Sequence, residues 1–280
     1  MARDFQLVDV FGSGPFSGNP LGVVHDADGL DTDTMFAITR WLNLSETVFL
    51  LPPTDPSADY RVRIFTLQRE LPFAGHPTLG SAHAWLTHGG APKERGRVVQ
   101  ECPAGLIPLR HDSAGLAFAA PPLVRQGPLD EAEIAALAGI LRIDRSAIVE
   151  AAWADNGPGW IALLLESAEA VLALDPERNP GRRVDVGVIG PHAEGSDIAF
   201  ELRVFFSDHR GGLLEDPVTG SFNASAAQWL FETKRAHSSY VAAQGTSLGR
   251  SGRIHVDQDA DGTIWIGGRT ETLFSGKTTF

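Results

Sequence analysis

The stretch RIFTLQRELPFAGHPTLGSAHAWL, Arg63 to Leu86, decides the fold because much of it occurs a second time in the chain. Ser81, Ala82, Trp85 and Leu86 recur at a constant spacing of 144 positions as Ser225, Ala226, Trp229 and Leu230. Upstream, Arg63-Ile64-Phe65 recurs 140 positions on as Arg203-Val204-Phe205, so the intervening loop is slightly longer in the second copy. Each copy reads as a strand, a glycine-containing loop and a helix low in charge. Such a helix is expected to be surrounded by protein. Two matches in the same order point to a duplicated α/β unit, with the active site expected between the halves, where domain interfaces commonly place pockets.

Outward from the repeat, alternation and turn residues predict strands over residues 5–11 and 21–25, joined by the loop GSGPFSGNP of residues 12–20. A helix is predicted over 32–42, a strand over 60–66, and a helix over 79–86 that starts just after Pro77 and Thr78. Strands over 97–101, 106–110 and 116–119 complete the first half, and APPLVRQGPL, residues 120–129, reads as a linker. The expected domains are therefore 1–122 and 128–280, with the last strand free to pack on the first domain. In the second half a surface helix is predicted over 130–141 and strands over 159–165 and 200–206.

The 280 residues suffice for two domains with their own cores, and 43% hydrophobic with 21% charged residues is the composition of a globular chain. A formal net charge of −12 argues against nucleic acid or an anionic membrane as partner, since both need a basic footprint. A small-molecule ligand is expected instead. Cys102 is the only cysteine, so an intrachain disulfide and a cysteine-based zinc cluster are both excluded. The first eleven residues carry Arg3, Asp4 and Asp9 and lack a signal-peptide core, and the apolar run 160–165 stops at Glu166, far short of a membrane span. The expected location is the cytoplasm.

In each copy the helix follows a loop of small residues, GHPTLGS at 75–81 and TGSFNAS at 219–225. Unpaired N–H groups and partial positive charge at a helix start can hold a carboxylate and stabilise enolate-like charge, which suits proton abstraction next to a carboxylate. The same residues also serve as ordinary caps and turns. Leu44, Glu46, Val48 and Leu50 share parity in NLSETVFLL. On an apolar strand face Glu46 would lose solvation, and its pKa is expected to rise towards neutrality; in a surface turn it would do neither, and parity leaves both open. His76 and Asp216 flank the two loops and are candidates to position substrate or relay protons, or to act as turn residues.

Other patterns fail on context. Gly245-Thr246-Ser247-Leu248-Gly249 fits G-x-S-x-G, but RSGRIHV follows where a helix is needed. Asp257, Asp259, Asp261 and Gly262 imitate a calcium loop whose twelfth position would be Gly268, so a hairpin at Asp261-Gly262 is the better reading. Gly12-Ser13-Gly14 runs into Pro15 without the dinucleotide spacing, and no HExxH pair exists.

DVFGSGPFSGNPLGVV (9–24), NLSETVFL (43–50), RIFTLQRELPFAGHPTLGSAHAW (63–85), LLEDPVTGS (213–221) and QGTSLGRSGRIHV (244–256) together resemble the phenazine-biosynthesis PhzF-like family, from one end of the chain to the other. The resemblance implies an α+β fold of two pseudo-symmetric diaminopimelate-epimerase-like domains, each a β-barrel-like sheet around a central helix. It also implies a homodimer and proton-transfer isomerisation of a small carboxylate such as trans-2,3-dihydro-3-hydroxyanthranilate, without metal or organic cofactor. The family acid/base falls on Glu46, the histidine of GHPT on His76, the aspartate of EDPVTGS on Asp216 and the serine of TGS on Ser221. Gly75 and Gly220 would shape the anion-binding loops.

The related epimerases use two cysteines that neither loop contains, which argues against cysteine-based epimerisation. After TGS, where a small residue and His are frequent in the family, this chain has Phe222 and Asn223, a change expected to narrow or reshape the site. The alternatives to a one-base isomerase are an amino-acid racemase or epimerase, with Asp216 or His76 as second base, and a non-catalytic binding protein.

Overall fold

The computed structural model describes residues 2–113, 115–208 and 210–279. By its contacts the chain divides into two compact units, residues 1–119 with 267–280, and residues 120–266.

In the first unit β1 (Asp4–Val10) pairs antiparallel with β2 (Asn19–Val24). Helix α1 (Thr32–Leu42) then leads to β3 (Glu46–Leu51), which lies parallel to β2. The helix ends where the sequence placed them, because Asp31 accepts from the Thr34 N–H at 2.8 Å and Asn43 adopts the left-handed conformation that closes a helix. β4 (Tyr60–Phe65) returns antiparallel to β3, and the two-residue β5 (Glu70–Leu71) turns back on β4.

Helix α2 (Gly75–Thr87) begins a full turn earlier than the predicted 79. The expected start lies just after Pro77 and Thr78, but Pro77 falls inside the first turn of the helix, where its missing N–H has no partner to lose. The helix is buried without interruption from Gly75 to Ala82, which is why it lacks an amphipathic pattern. Gly80 allows this close packing, since a Cβ there would run into Leu21 of β2. After it β6 (Arg97–Cys102) joins β4 in parallel, and β7 (Gly105–Asp112) and β8 (Gly115–Ala119) continue antiparallel.

The second unit opens with β9 (Arg125–Pro128), which pairs with β10 (Ile148–Asp155) across α3 (Glu131–Leu141). Residues 120–129 are thus not all linker: Pro128 ends the strand, a position where proline is tolerated. β10 is antiparallel to β11 (Ile161–Leu165), and β11 is parallel to β12 (Asp185–Pro191) across α4 (Ala168–Leu172). β13 (Phe200–Ser207) is antiparallel to β12 and to the short β14 (Leu213–Asp216). Helix α5 (Gly220–Glu232) follows, then β15 (Tyr240–Gln244), parallel to β13 and antiparallel to β16 (Gly252–Gln258). From β10 to β16 this is the series of pairings seen from β1 to β7. After β17 (Ile264–Gly268), β18 (Thr270–Lys277) pairs with the far edge of β1, which places residues 267–280 in the first unit.

Both buried helices have 13 residues, but their starts, 75 and 220, are 145 apart, so the matches at 144 stand one position out of structural register. A closer repeat lies in the strands. Arg63 of β4 grips Glu70 of β5 through Nε and Nη2 at 2.8 and 2.6 Å, and Arg203 of β13 grips Glu215 of β14 at 3.0 and 2.7 Å. Each bidentate clasp pins the short strand that leads into a buried helix.

Candidate active site

Glu46 is the first residue of β3, in register with Leu21 of β2, and its side chain keeps 16% exposure. Thr47 to Leu50 are all buried, so β3 has two apolar faces and the parity argument had no polar face to contrast. His76, the second residue of α2, presents Nε2 to Glu46 Oε2 at 3.4 Å. Its Nδ1 lies 3.3 Å from Nδ2 of Asn19, the residue that opens β2. With the Asn19 amide nitrogen turned towards it, Nδ1 is the acceptor, and the tautomer that goes with this orientation carries its proton on Nε2, the nitrogen that faces Glu46. Burial pushes the His76 pKa down to about 3, which makes the ring neutral at physiological pH.

Asn19 is delivered by the loop GSGPFSGNP, and that loop is wound around Asp9, whose carboxylate accepts the N–H groups of Ser17 and Gly18 at 2.9 and 2.8 Å. A Cβ at Gly12 or Gly18 would collide with Asp9 and neighbouring backbone. Neither Asp9 nor Asn19 was singled out from sequence; the signal was a glycine-rich loop between two strands next to a buried acid.

In the second unit Asp216 ends β14, and its Oδ2 accepts from Thr219 Oγ1 at 2.6 Å. Ser221 is the second residue of α5, its Oγ accepting from Trp160 Nε1 at 3.1 Å and its carbonyl from Asn156 Nδ2 at 2.8 Å. Phe222 and Asn223, expected to narrow or reshape the site, are both buried. Phe222 lies over Gly187 and meets Trp160 edge-on at 5.7 Å, while Asn223 Nδ2 donates to the Thr219 carbonyl and to Gln244 Oε1.

Neither buried helix has a side-chain cap. The residue before α2 is Ala74, and Thr219 before α5 spends its hydroxyl on Asp216. No side-chain cap therefore takes the first N–H groups of either helix, and at Gly75 and Gly220 no side chain stands beside them. Within the first unit the predicted residues Glu46, His76 and Gly75 fall together, and within the second so do Asp216, Ser221 and Gly220.

The remaining motifs resolve as structural features. Thr246–Leu248 is a single tight turn between left-handed Gly245 and Gly249, leading into β16. Asp259 N–H bonds the Thr263 carbonyl across a hairpin with Gly262 at φ 90°. Among the described residues Asp4, Asp26 and His88 bring ligand atoms within 4.8 Å of one another, but Asp4 is already paired with Lys277 at 2.9 Å, which makes the group a surface charge network. Among those residues no helix is long and apolar enough to cross a membrane.

Over 294 residues the chain is 33% identical to Antisense-enhancing sequence 1 of Schizosaccharomyces pombe, covering 99% of this chain and 98% of that one. It is 30% identical to trans-2,3-dihydro-3-hydroxyanthranilate isomerase of Pseudomonas aeruginosa, covering 92% and 91%. Among solved structures, a predicted epimerase from Pseudomonas aeruginosa superposes with a TM-score of 0.78 at 29% identity over 99% of both chains. Several relatives carry isomerase or epimerase names. The mixed α/β architecture with its two uncapped buried helices agrees with a match to the sequence pattern of the phenazine biosynthesis-like proteins over residues 8–276, and the chain belongs to that PhzC-PhzF family.

Proposed function

We propose that the protein is a proton-transfer isomerase of a small carboxylate substrate, with Glu46 as the acid/base. The observation that carries this reading is the Glu46 carboxylate, mostly buried and 3.4 Å from a neutral His76 at the open start of α2. Glu46 takes a proton from a substrate carbon, the electron pair spreads towards the substrate carboxylate, and Glu46 returns the proton to another carbon. The step conserves atoms and electrons and calls on no metal or organic cofactor. Neutral His76, with its proton on Nε2, orients Glu46 by donating to it or to a substrate oxygen.

The amides at Gly75 and Gly220 hold substrate anion charge, Ser221 donates to a substrate acceptor and Asp216 accepts from a substrate donor. The finer reading of the fold, two pseudo-symmetric epimerase-like halves each wrapped about one helix, is supported by the repeated pairings, by the repeated Arg–Glu clasps and by burial of α2 and α5. A cytoplasmic homodimer in a biosynthetic pathway completes the proposal. The named activity of the Pseudomonas relative makes trans-2,3-dihydro-3-hydroxyanthranilate the first substrate to try.

The test is turnover in deuterium oxide. The proton held by Glu46 exchanges with solvent in part before its return, so wild type should introduce deuterium into the product, and Glu46→Gln should bind the substrate without turning it over or exchanging it; exchange at the wild-type rate in that variant would remove Glu46 from the mechanism. Epimerisation is the second reading, favoured by the name of the superposing epimerase. Chiral analysis of the product separates the two.

A further inference from the structure

Gln244, the last residue of β15, is fully buried and its amide makes four hydrogen bonds. Oε1 accepts from the Thr219 N–H at 3.0 Å and from Asn223 Nδ2 at 2.9 Å. Nε2 donates to the Asp216 carbonyl and to Thr219 Oγ1, both at 3.0 Å. Two of these partners are backbone groups of fixed polarity, an N–H and a C=O, so the amide can face only one way. Thr219 Oγ1 therefore receives a proton from Gln244, and its single hydroxyl proton goes to Asp216 Oδ2 at 2.6 Å.

The first unit supplies an internal comparison. Gln100 of β6 is also fully buried, and its Nε2 donates at 3.0 Å to Thr78, the fourth residue of α2, as Asn223 is the fourth of α5. There the residue before the helix is Ala74, which has no hydroxyl, and Gln100 bonds the helix at Thr78 and, away from it, Tyr60 and the Cys102 thiol. Anchoring a helix thus requires only what Gln100 does. Gln244 carries the additional branch, through Thr219, to a carboxylate.

We infer that Gln244 is a positioning residue: with Thr219 it forms a one-way hydrogen-bond relay that holds Asp216 Oδ2 as an acceptor and fixes the rotation of that carboxylate towards substrate. Asn223 fastens the amide from its other side. The inference rests on the reading of Asp216 as a substrate contact.

Thr219→Val removes the relay hydroxyl, Thr219→Ser keeps it, and Gln244→Glu keeps the shape but has at most one proton to give where Nε2 gives two, so the Asp216 carbonyl and Thr219 Oγ1 cannot both keep their donor. With trans-2,3-dihydro-3-hydroxyanthranilate as probe, Thr219→Val and Gln244→Glu should each lower kcat/KM by roughly 10- to 100-fold, as expected for a displaced group. Thr219→Ser should restore most of it. In an Asp216→Asn background the same two changes should cost almost nothing more, whereas a purely structural role would give additive losses. Crystal structures of both variants provide a readout free of turnover. An Asp216 carboxylate rotated from its native position supports the relay; an unmoved carboxylate in both variants overturns it, as do wild-type kinetics in both. If Gln244→Glu does not fold, Thr219→Val alone carries the test. Rotation in the variants with an inert wild type would overturn the isomerase reading and leave the relay standing.

Discussion

Trp160 Nε1 donates to Ser221 Oγ at 3.1 Å, and that bond settles what Ser221 can offer a ligand. An indole nitrogen is a donor only, so the hydroxyl accepts from it and has its own proton to give. A serine so arranged recognises an acceptor such as a carboxylate oxygen. Trp160→Phe keeps an aromatic ring against Phe222, though a smaller one, and deletes the N–H. The expected result is a KM for the carboxylate substrate raised about 2- to 10-fold, the value of one hydrogen bond of ~0.5–1.5 kcal/mol, with kcat little changed. Steady-state kinetics would detect this, and an unchanged KM and kcat would place Ser221 outside substrate binding.

Phe222 occupies the space that a side chain at residue 187 would need. A Cβ at Gly187 would fall within the Phe222 ring, so Gly187→Ala forces overpacking and should destabilise by about 1–3 kcal/mol. Phe222→Ala should cost about 3–5 kcal/mol through the cavity it leaves. In the double variant the new methyl group fits part of that cavity, so the two costs should fall short of their sum. Urea denaturation of the four proteins measures this, and strict additivity would mean that the two positions are not coupled.

These pairings also explain what the sequence could and could not reveal. Helix α1 was legible to its ends because Asp31 and Asn43 are local caps. β12 was not, since its glycines hide the strand pattern: Gly187 makes room for Phe222, and Gly190 lies where a Cβ would meet the backbone of Ser167. The last strand is expected to be free to pack on the first domain, but its bounds and its pairing with β1 were not legible, because β18 is only partly buried and its partner lies at the other end of the chain. The repeated strand pairings left a trace in Arg63-Ile64-Phe65 and Arg203-Val204-Phe205, although the meaning of each arginine, a grip on Glu70 or Glu215, needed the fold. Glu46 was found through its SETVFL context, because a strand buried on both faces gives parity nothing to report.

The two clasps differ in depth, which predicts unequal costs for the same substitution. The side chains of Arg203 and Glu215 are 8% and 10% exposed, against 25% and 29% for Arg63 and Glu70. Glu215→Ala strands a buried guanidinium, already committed to the Leu174 carbonyl at 2.6 Å, and should cost about 3–5 kcal/mol. Glu70→Ala leaves Arg63 closer to water and should cost about 1 kcal/mol. Denaturant midpoints of the two variants test the order, and an equal loss would show that depth does not set the value of the clasp.

His76 and His25 make acid stability a test of the buried site. Burial lowers His76 to about 3, and burial together with the neighbouring His88 lowers His25 to about 4. Both values lie below the ordinary 6.5, so above that pH each ring is neutral folded or unfolded and its contribution is fully present. Below it the unfolded chain takes up protons that the folded chain refuses, and stability falls as pH drops towards 4 for His25 and 3 for His76. The limiting slope for His76 is about 1.4 kcal/mol per pH unit. His76→Gln removes the titrating group, so the variant should lose less stability than wild type between about pH 6 and pH 4, whatever its stability at pH 7. The comparison must be made as a difference from wild type, because carboxylates shared by both proteins begin to titrate in the same range. Urea unfolding in steps of about half a pH unit gives that difference, and parallel pH profiles would show that His76 takes up its proton as readily in the folded protein as in the unfolded chain, so that burial does not hold the ring neutral.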